Sequence, residues 1–201
     1  TEKIFLGFFM HFHETEKSEY SFVIDNFAIL IRFFLEPLES NFFNFINKIK
    51  FLNEENKNSK QKNVRKLLNV LNLFLKFLLI FGCLLVGYIY SIGKEVFMLV
   101  FGKSWVTETS VILVKKYSIY IFIISINGIV EAFGNATSTA RQMKIFNHMM
   151  IINSIFLITF SFLFQGYGVL GLIFANGLSM ILRILGNFYI IFKEKNSKNI
   201  F

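Results

Sequence analysis

Long apolar runs separated by short polar or glycine-containing stretches organise the chain. A bilayer hydrocarbon core about 30 Å thick needs roughly 20 apolar residues in a helix that rises about 1.5 Å per residue. Leu67–Tyr90, Ser110–Phe133, Ile145–Gln165 and Val169–Phe192 meet that length, the last in spite of Arg183. Tyr20–Leu38 carries Asp25, Arg32 and Glu36 among its apolar residues. At roughly −0.3 to −0.6 kcal/mol per apolar residue against about +2.5 to +3.5 kcal/mol per charge, it inserts only beside partner helices. Ile4–Phe12 reads as the end of a further helix whose beginning is missing. The pattern thus predicts an all-α polytopic transmembrane bundle, one domain over residues 1–201, with five full spans and a truncated one. Glu39–Phe51 sets Phe42, Phe43, Ile46, Ile49 and Phe51 to one side, as in a helix emerging amphipathic into the interface. Residues 53–66 read as a solvated cytosolic loop, and Val96–Phe101 as a short apolar patch at the opposite surface.

Composition agrees with the pattern. With 54% hydrophobic and 17% charged residues, against about 25% charged in a typical soluble domain, the chain is too apolar to live mostly in water. The richness in Phe, Ile, Asn and Lys is of a kind that codon bias produces, so the 28 Phe carry no functional weight. The net charge of +8 does not indicate nucleic acid, because the basic residues lie in loops between the apolar runs. Lys3, Lys48, Lys50, Lys57, Lys60, Lys62, Arg65, Lys66, Arg141, Lys144, Lys193, Lys195 and Lys198 fall on one side, and only Lys17, Lys94 and Lys103 on the other. The positive-inside rule makes the first side cytosolic. The sequon Asn135-Ala136-Thr137 then faces the cytosol, where it escapes glycosylation. The first residue is Thr1, and no signal pattern precedes the first apolar run, so an incomplete or processed chain is expected.

The intramembrane polar residues fall in phase. Asp25, Arg32, Glu36 and Glu39 are spaced by 7, 4 and 3, which at about 100° per residue places them in one narrow sector. Lys116, Tyr120, Asn127 and Glu131 form a second stripe, and Asn176, Ser179, Arg183 and Asn187 a third. Charges at this depth are costly unless they face a bundle interior or a watery cavity, so three stripes predict a shared polar cavity. The competing explanation is that the charges neutralise one another and fix packing while Lys76, Lys115 and Lys116 snorkel. Pro37, the single proline, removes a backbone hydrogen bond and clashes with the Phe33 carbonyl. A kink there is a candidate hinge; a helix end at the interface is the alternative. Gly171, Ala175 and Gly186 are read as small residues that permit close helix approach.

Other chemistry is poorly supplied. Cys83 is the one cysteine, so neither an intrachain disulfide nor a cysteine metal cluster is available. His11 and His13 splay to different sides of a helix and have no third ligand. There is no phosphate-cradling glycine loop and no nucleophile motif, so neither a cofactor nor an enzyme activity is expected.

Three stretches carry a family resemblance. EYSFVIDNFAILIRFFLEPLESNFFNFINKI (Glu19–Ile49), YSIYIFIISINGIVEAF (Tyr117–Phe133) and LGLIFANGLSMILRI (Leu170–Ile184) resemble, in the same order, segments of the Rft-type oligosaccharide translocation proteins of the endoplasmic reticulum. Arg32, Glu39, Asn127, Glu131, Asn176 and Arg183 match the family pattern; Ser40 stands where the family has a second Glu, and Val130 where it has Thr. The resemblance implies part of a two-halved exporter fold with a polar central cavity, in a multi-pass protein of the endoplasmic reticulum membrane. It also implies a dolichol-pyrophosphate-linked oligosaccharide as the partner, moved from the cytosolic to the lumenal leaflet for protein N-glycosylation. The missing remainder of the same chain is expected to be required. Arg32 and Arg183 would then pair with the pyrophosphate. Asn127, Asn176 and Tyr120 would bond sugar hydroxyls, while Asp25, Glu39 and Glu131 orient the arginines and change partners. A drug or cation exporter of the same superfamily, and a non-transporting assembly factor of the glycosylation pathway, remain open beside this reading.

Overall fold

In the computed structural model, which describes residues 14–54 and 60–196, every described element is helical. Helix α1 (Glu14–Leu30) passes through one π turn (Ile31–Leu35) into α2 (Glu36–Glu54). Then come α3 (Lys60–Phe101), a 3-10 turn (Lys103–Trp105), α4 (Glu108–Thr137), α5 (Ala140–Leu163), a second 3-10 turn (Gln165–Tyr167) and α6 (Gly168–Asn196). Ile4–Phe12 and the His11/His13 pair lie outside the described residues.

Pro37 does not end its helix. The chain stays helical from Glu14 to Glu54, and the turn just before the proline widens so that the Glu36 N–H donates to the Ile31 carbonyl, five residues back. Pro37 has no N–H to give, and its ring presses on the carbonyl four residues earlier; a π turn moves that carbonyl aside without breaking the helix. The helix-end alternative at Pro37 is therefore incorrect.

Helix α3 is longer than the sequence pattern indicated. Its 42 residues extend about 63 Å, twice the hydrocarbon thickness. It absorbs Val96–Phe101, which is the last turn of this helix and not a separate surface patch, because Gly93 alone costs only about 1 kcal/mol and does not break a helix. The chain turns instead at Gly102, which has φ +83°. At the other end α2 runs to Glu54 and α3 begins at Lys60, so helix enters the stretch read as a loop from both sides.

Four helices are long and apolar enough to cross a membrane: Arg65–Phe101, Glu108–Thr137, Arg141–Leu163 and Gln165–Ile191. The helix through Pro37, expected as a fifth span, is not among them, because its charges interrupt the apolar run. Within the apolar windows 39% of α4 and α6 is buried but only 11% of α3 and α5, which makes α4 and α6 the inner pair. Gly171 lets α6 fold back tightly, since a Cβ there would overlap the Phe164 carbonyl, and Gly168 makes the turn with φ +64°. The box between Thr107 and Ser110, with both bonds at 3.0 Å, starts α4, and a corresponding Thr139–Gln142 box starts α5.

Two apolar clusters hold the bundle at its ends. One joins Tyr20, Val23, Phe97, Leu113, Tyr117 and Leu172; the other joins Phe42, Ile46, Leu71, Ile129, Phe133 and Ile191. The second lies at the end carrying Lys48, Lys50, Arg65, Lys66, Arg141 and Lys144, the end expected from its charges to be cytosolic. The polar residues lie just inward of it.

Candidate functional site

The stripes of α4 and α6 meet. Arg183 Nη2 donates to both carboxylate oxygens of Glu131, each at 2.6 Å, with the two side chains 18% and 26% exposed. Asn127, one turn earlier on α4, donates through Nδ2 to Glu131 Oε2 at 3.3 Å. Its Oδ1 is buried without a partner, as is Nδ2 of Asn187, one turn beyond Arg183. A buried amide atom left unpaired costs about 1–3 kcal/mol, so each is a place where a further hydrogen bond would be favourable. Asn176 and Ser179 are buried on the same helix. Glu131 is six residues, about 9 Å along the axis, from the C-terminal end of α4.

Helix α2 adds the third member. Gly128 leaves room for α2 to cross close, and the Glu39 carboxylate fills the space that a Cβ on Gly128 would occupy. Glu39 is half-buried there and couples electrostatically with Glu131, Glu36 and Arg183. Two carboxylates and one guanidinium thus share a small volume, and Arg183 has committed to Glu131.

An open groove of about 500 Å³ runs from this cluster towards the basic end of the bundle, between α2 and α4. Glu39, Ser40, Phe43 and Asn44 line it on one side, with Gly128, Glu131, Ala132 and Asn135 on the other. The Ser40 hydroxyl donates to the Glu36 carbonyl at 2.8 Å and keeps its capacity to accept. Beyond the groove Lys50 Nζ donates to the Ala136 carbonyl at 3.4 Å and ties the end of α4 to α2.

The remaining expected site residues sit elsewhere. Tyr120 is buried in the apolar cluster at the other end of the bundle, edge-on to Tyr117 at 5.2 Å. Asp25 and Arg32 are exposed on the outside of the helix that precedes Pro37, beside the exposed rings of Phe33 and Phe34. Three stripes therefore do not converge on one central cavity within the described residues: those of α4 and α6 pair, and of the third only Glu39 joins them. Lys76 and Lys116 are exposed, and Lys115 lies over the Tyr90 ring at 5.7 Å, as snorkelling side chains do. Among the described residues no group of three or more His, Cys, Asp or Glu is placed to hold a metal ion.

Sequence reasoning missed Phe43, Asn44, Gly128 and Asn135, and it noted Ser40 only as a departure from a pattern. The signal was present: Ser40, Asn44 and Lys48 follow at four-residue spacing on α2, and Gly128, Glu131 and Asn135 at three and four on α4.

Comparison with known proteins adds the ancestry. The family model described as Rft protein matches residues 7–200. Three curated relatives, each named Man(5)GlcNAc(2)-PP-dolichol translocation protein RFT1, are similar over shorter stretches. The Drosophila melanogaster protein is 35% identical over 80 residues, 39% of this chain and 14% of its own length. The Saccharomyces cerevisiae protein is 33% identical over 102 residues, 48% and 18% of the two chains. The Kluyveromyces lactis protein is 36% identical over 120 residues, 56% and 20%. These alignments take in no more than 20% of any of the three relatives. No solved structure matches. With nearly all of its residues inside the family match, the chain belongs to the Rft protein family.

Proposed function

We propose that this protein takes part in moving a dolichol-pyrophosphate-linked oligosaccharide from the cytosolic to the lumenal leaflet of the endoplasmic reticulum membrane, for protein N-glycosylation. The observation that carries the proposal is the Arg183–Glu131–Asn127 cluster with Glu39 beside it, set between helices and opening into a polar groove. Relatives whose names state translocation of this lipid support the substrate. An apolar packing role alone would not need a guanidinium, two carboxylates and unpaired amide atoms in a membrane interior.

In this proposal Arg183 exchanges Glu131 for the pyrophosphate, whose oxygens suit the guanidinium fork, and Glu39 stands ready as the alternative carboxylate partner. Asn127 and Asn176 donate to the head group as it passes. Arg32 is exposed on the outer side of the helix before Pro37. The remainder of the protein covers that face and closes a cavity over it, and Arg32 meets the pyrophosphate from there. Pro37, with the π turn before it, is the hinge about which the charged helix moves. Tyr120, packed among apolar side chains, serves the fold and not the substrate.

The test is the profile of lipid-linked oligosaccharides in the source cells after depletion of this protein. The proposal predicts accumulation of the five-mannose intermediate and under-glycosylated secreted proteins. An unchanged profile overturns it and leaves an exporter of another substrate.

A further inference from the structure

We infer that the groove between α2 and α4 is a glycan subsite, in which the sugar portion of the head group lies on the cytosolic side while its phosphates stay at the inner end beside Arg183. The inference rests on the proposed substrate and assigns to it Phe43, Asn44 and Asn135, which neither the family matches nor the polar stripes singled out. Three observations carry it.

The first is composition. Carbohydrate hydroxyls both give and accept hydrogen bonds, so a glycan site needs donors and acceptors interleaved. Asn44 and Asn135 each offer an amide with both, Ser40 a hydroxyl that can still accept, and Glu39 a carboxyl group. The second is Phe43. It is partly buried between the polar stripe and the apolar cluster, where it presents a ring to the groove. The electron-rich face of an aromatic ring suits the C–H face of a pyranose, the side that amides leave uncovered.

The third is placement. About 500 Å³ is within the range of small-molecule sites, and the groove is open, as a site that holds part of a larger flexible glycan must be. Its inner end is Glu131, which Arg183 holds, and its outer end reaches Asn135, two residues from the cytosolic terminus of α4. A lipid-anchored head group entering from the cytosolic leaflet would therefore present phosphates and sugars in that order.

The test is binding of the free five-mannose oligosaccharide, without lipid or phosphate, to the protein purified from its native membrane, measured by saturation-transfer NMR and by titration. Inorganic pyrophosphate is the second probe. The inference predicts saturable glycan binding that weakens about tenfold in Asn44→Leu and again in Asn135→Leu, one to two hydrogen bonds each. Asn44→Gln retains most of the binding, Asn147→Leu on the exposed face of α5 leaves it unchanged, and pyrophosphate binding is the same in all four variants. No glycan binding by the unaltered protein, or binding that survives both leucine substitutions, overturns the inference. Equal loss of pyrophosphate and glycan binding in the leucine variants overturns it as well, since the damage is then general. None of these outcomes changes the cellular lipid-linked oligosaccharide profile on which the proposed function stands or falls.

Discussion

Glu39 lies where the side chain of residue 128 would be, and only because that residue is glycine. The contact brings a carboxylate from α2 against the backbone of α4, one turn from the Glu131–Arg183 pair, and fixes where the two helices cross. It also separates fold from function at a single position.

Gly128→Ala tests that separation. The added methyl meets the end of a flexible side chain, which can swing away, while alanine in a helix gains up to about 1 kcal/mol over glycine. Thermal unfolding in detergent is expected to show equal or slightly greater stability, and complementation of depleted cells to show the five-mannose lipid accumulating. A large loss of stability would mean that Glu39 cannot move.

The ion pair is expected to be worth more intact than in halves. Arg183→Met leaves Glu131 with only the Asn127 amide, and Glu131→Gln leaves a mostly buried guanidinium. Breaking one side of such a pair costs about 3 kcal/mol, somewhat less where water reaches in. The double substitution Glu131→Gln/Arg183→Met is expected to recover much of that stability without recovering activity. Additive losses in the double-mutant cycle would show that the pair is not coupled.

Pro37→Ala restores an N–H that can bond the Phe33 carbonyl, and the π turn is expected to tighten to an ordinary one. Losing one extra residue rotates everything before Ile31 by about 100° relative to α2. Cysteines placed at Asp25 and Arg32, exposed now, are expected to become less reactive towards a water-soluble maleimide. Unchanged labelling would mean that the π turn has another cause.

That same turn explains what the sequence did not reveal. Counting about 100° per residue from Asp25 to Glu39 places both on one face, but the π turn between them inserts one residue and throws the phase off. Glu39 faces the bundle, while Asp25 and Arg32 face out. Periodicity assumes an unbroken 3.6-residue turn, and a lone proline announces a disturbance without saying which kind. On α4 and α6 no such break intervenes between the paired residues, and Asn127, Glu131 and Arg183 meet as their spacing indicated. Tyr120 shares their stripe, but its ring lies two turns away among apolar neighbours, so phase alone did not report depth. The groove residues were legible only after α2 was seen to lie along α4, because helix pairing is not written in either helix by itself.

Sidedness gives a further check. Asn135 of the sequon lies at the end of α4 that carries the basic residues, so it is expected to remain unmodified in microsomes, with no shift on glycosidase treatment. The substitution Trp105→Asn puts an asparagine two residues before Thr107, at the opposite end of α4, and the sequon so formed is expected to be modified. The reverse pattern would invert the topology and move the groove to the lumenal leaflet.

The protein purified from its source membrane, reconstituted into vesicles with the five-mannose dolichol-linked oligosaccharide, is expected to make lipid from the inner leaflet accessible to an external glycan-binding probe faster than in protein-free vesicles. Glu131→Gln is expected to abolish the gain. No acceleration by the unaltered protein would contradict translocation and leave the cluster a role in assembling the glycosylation machinery.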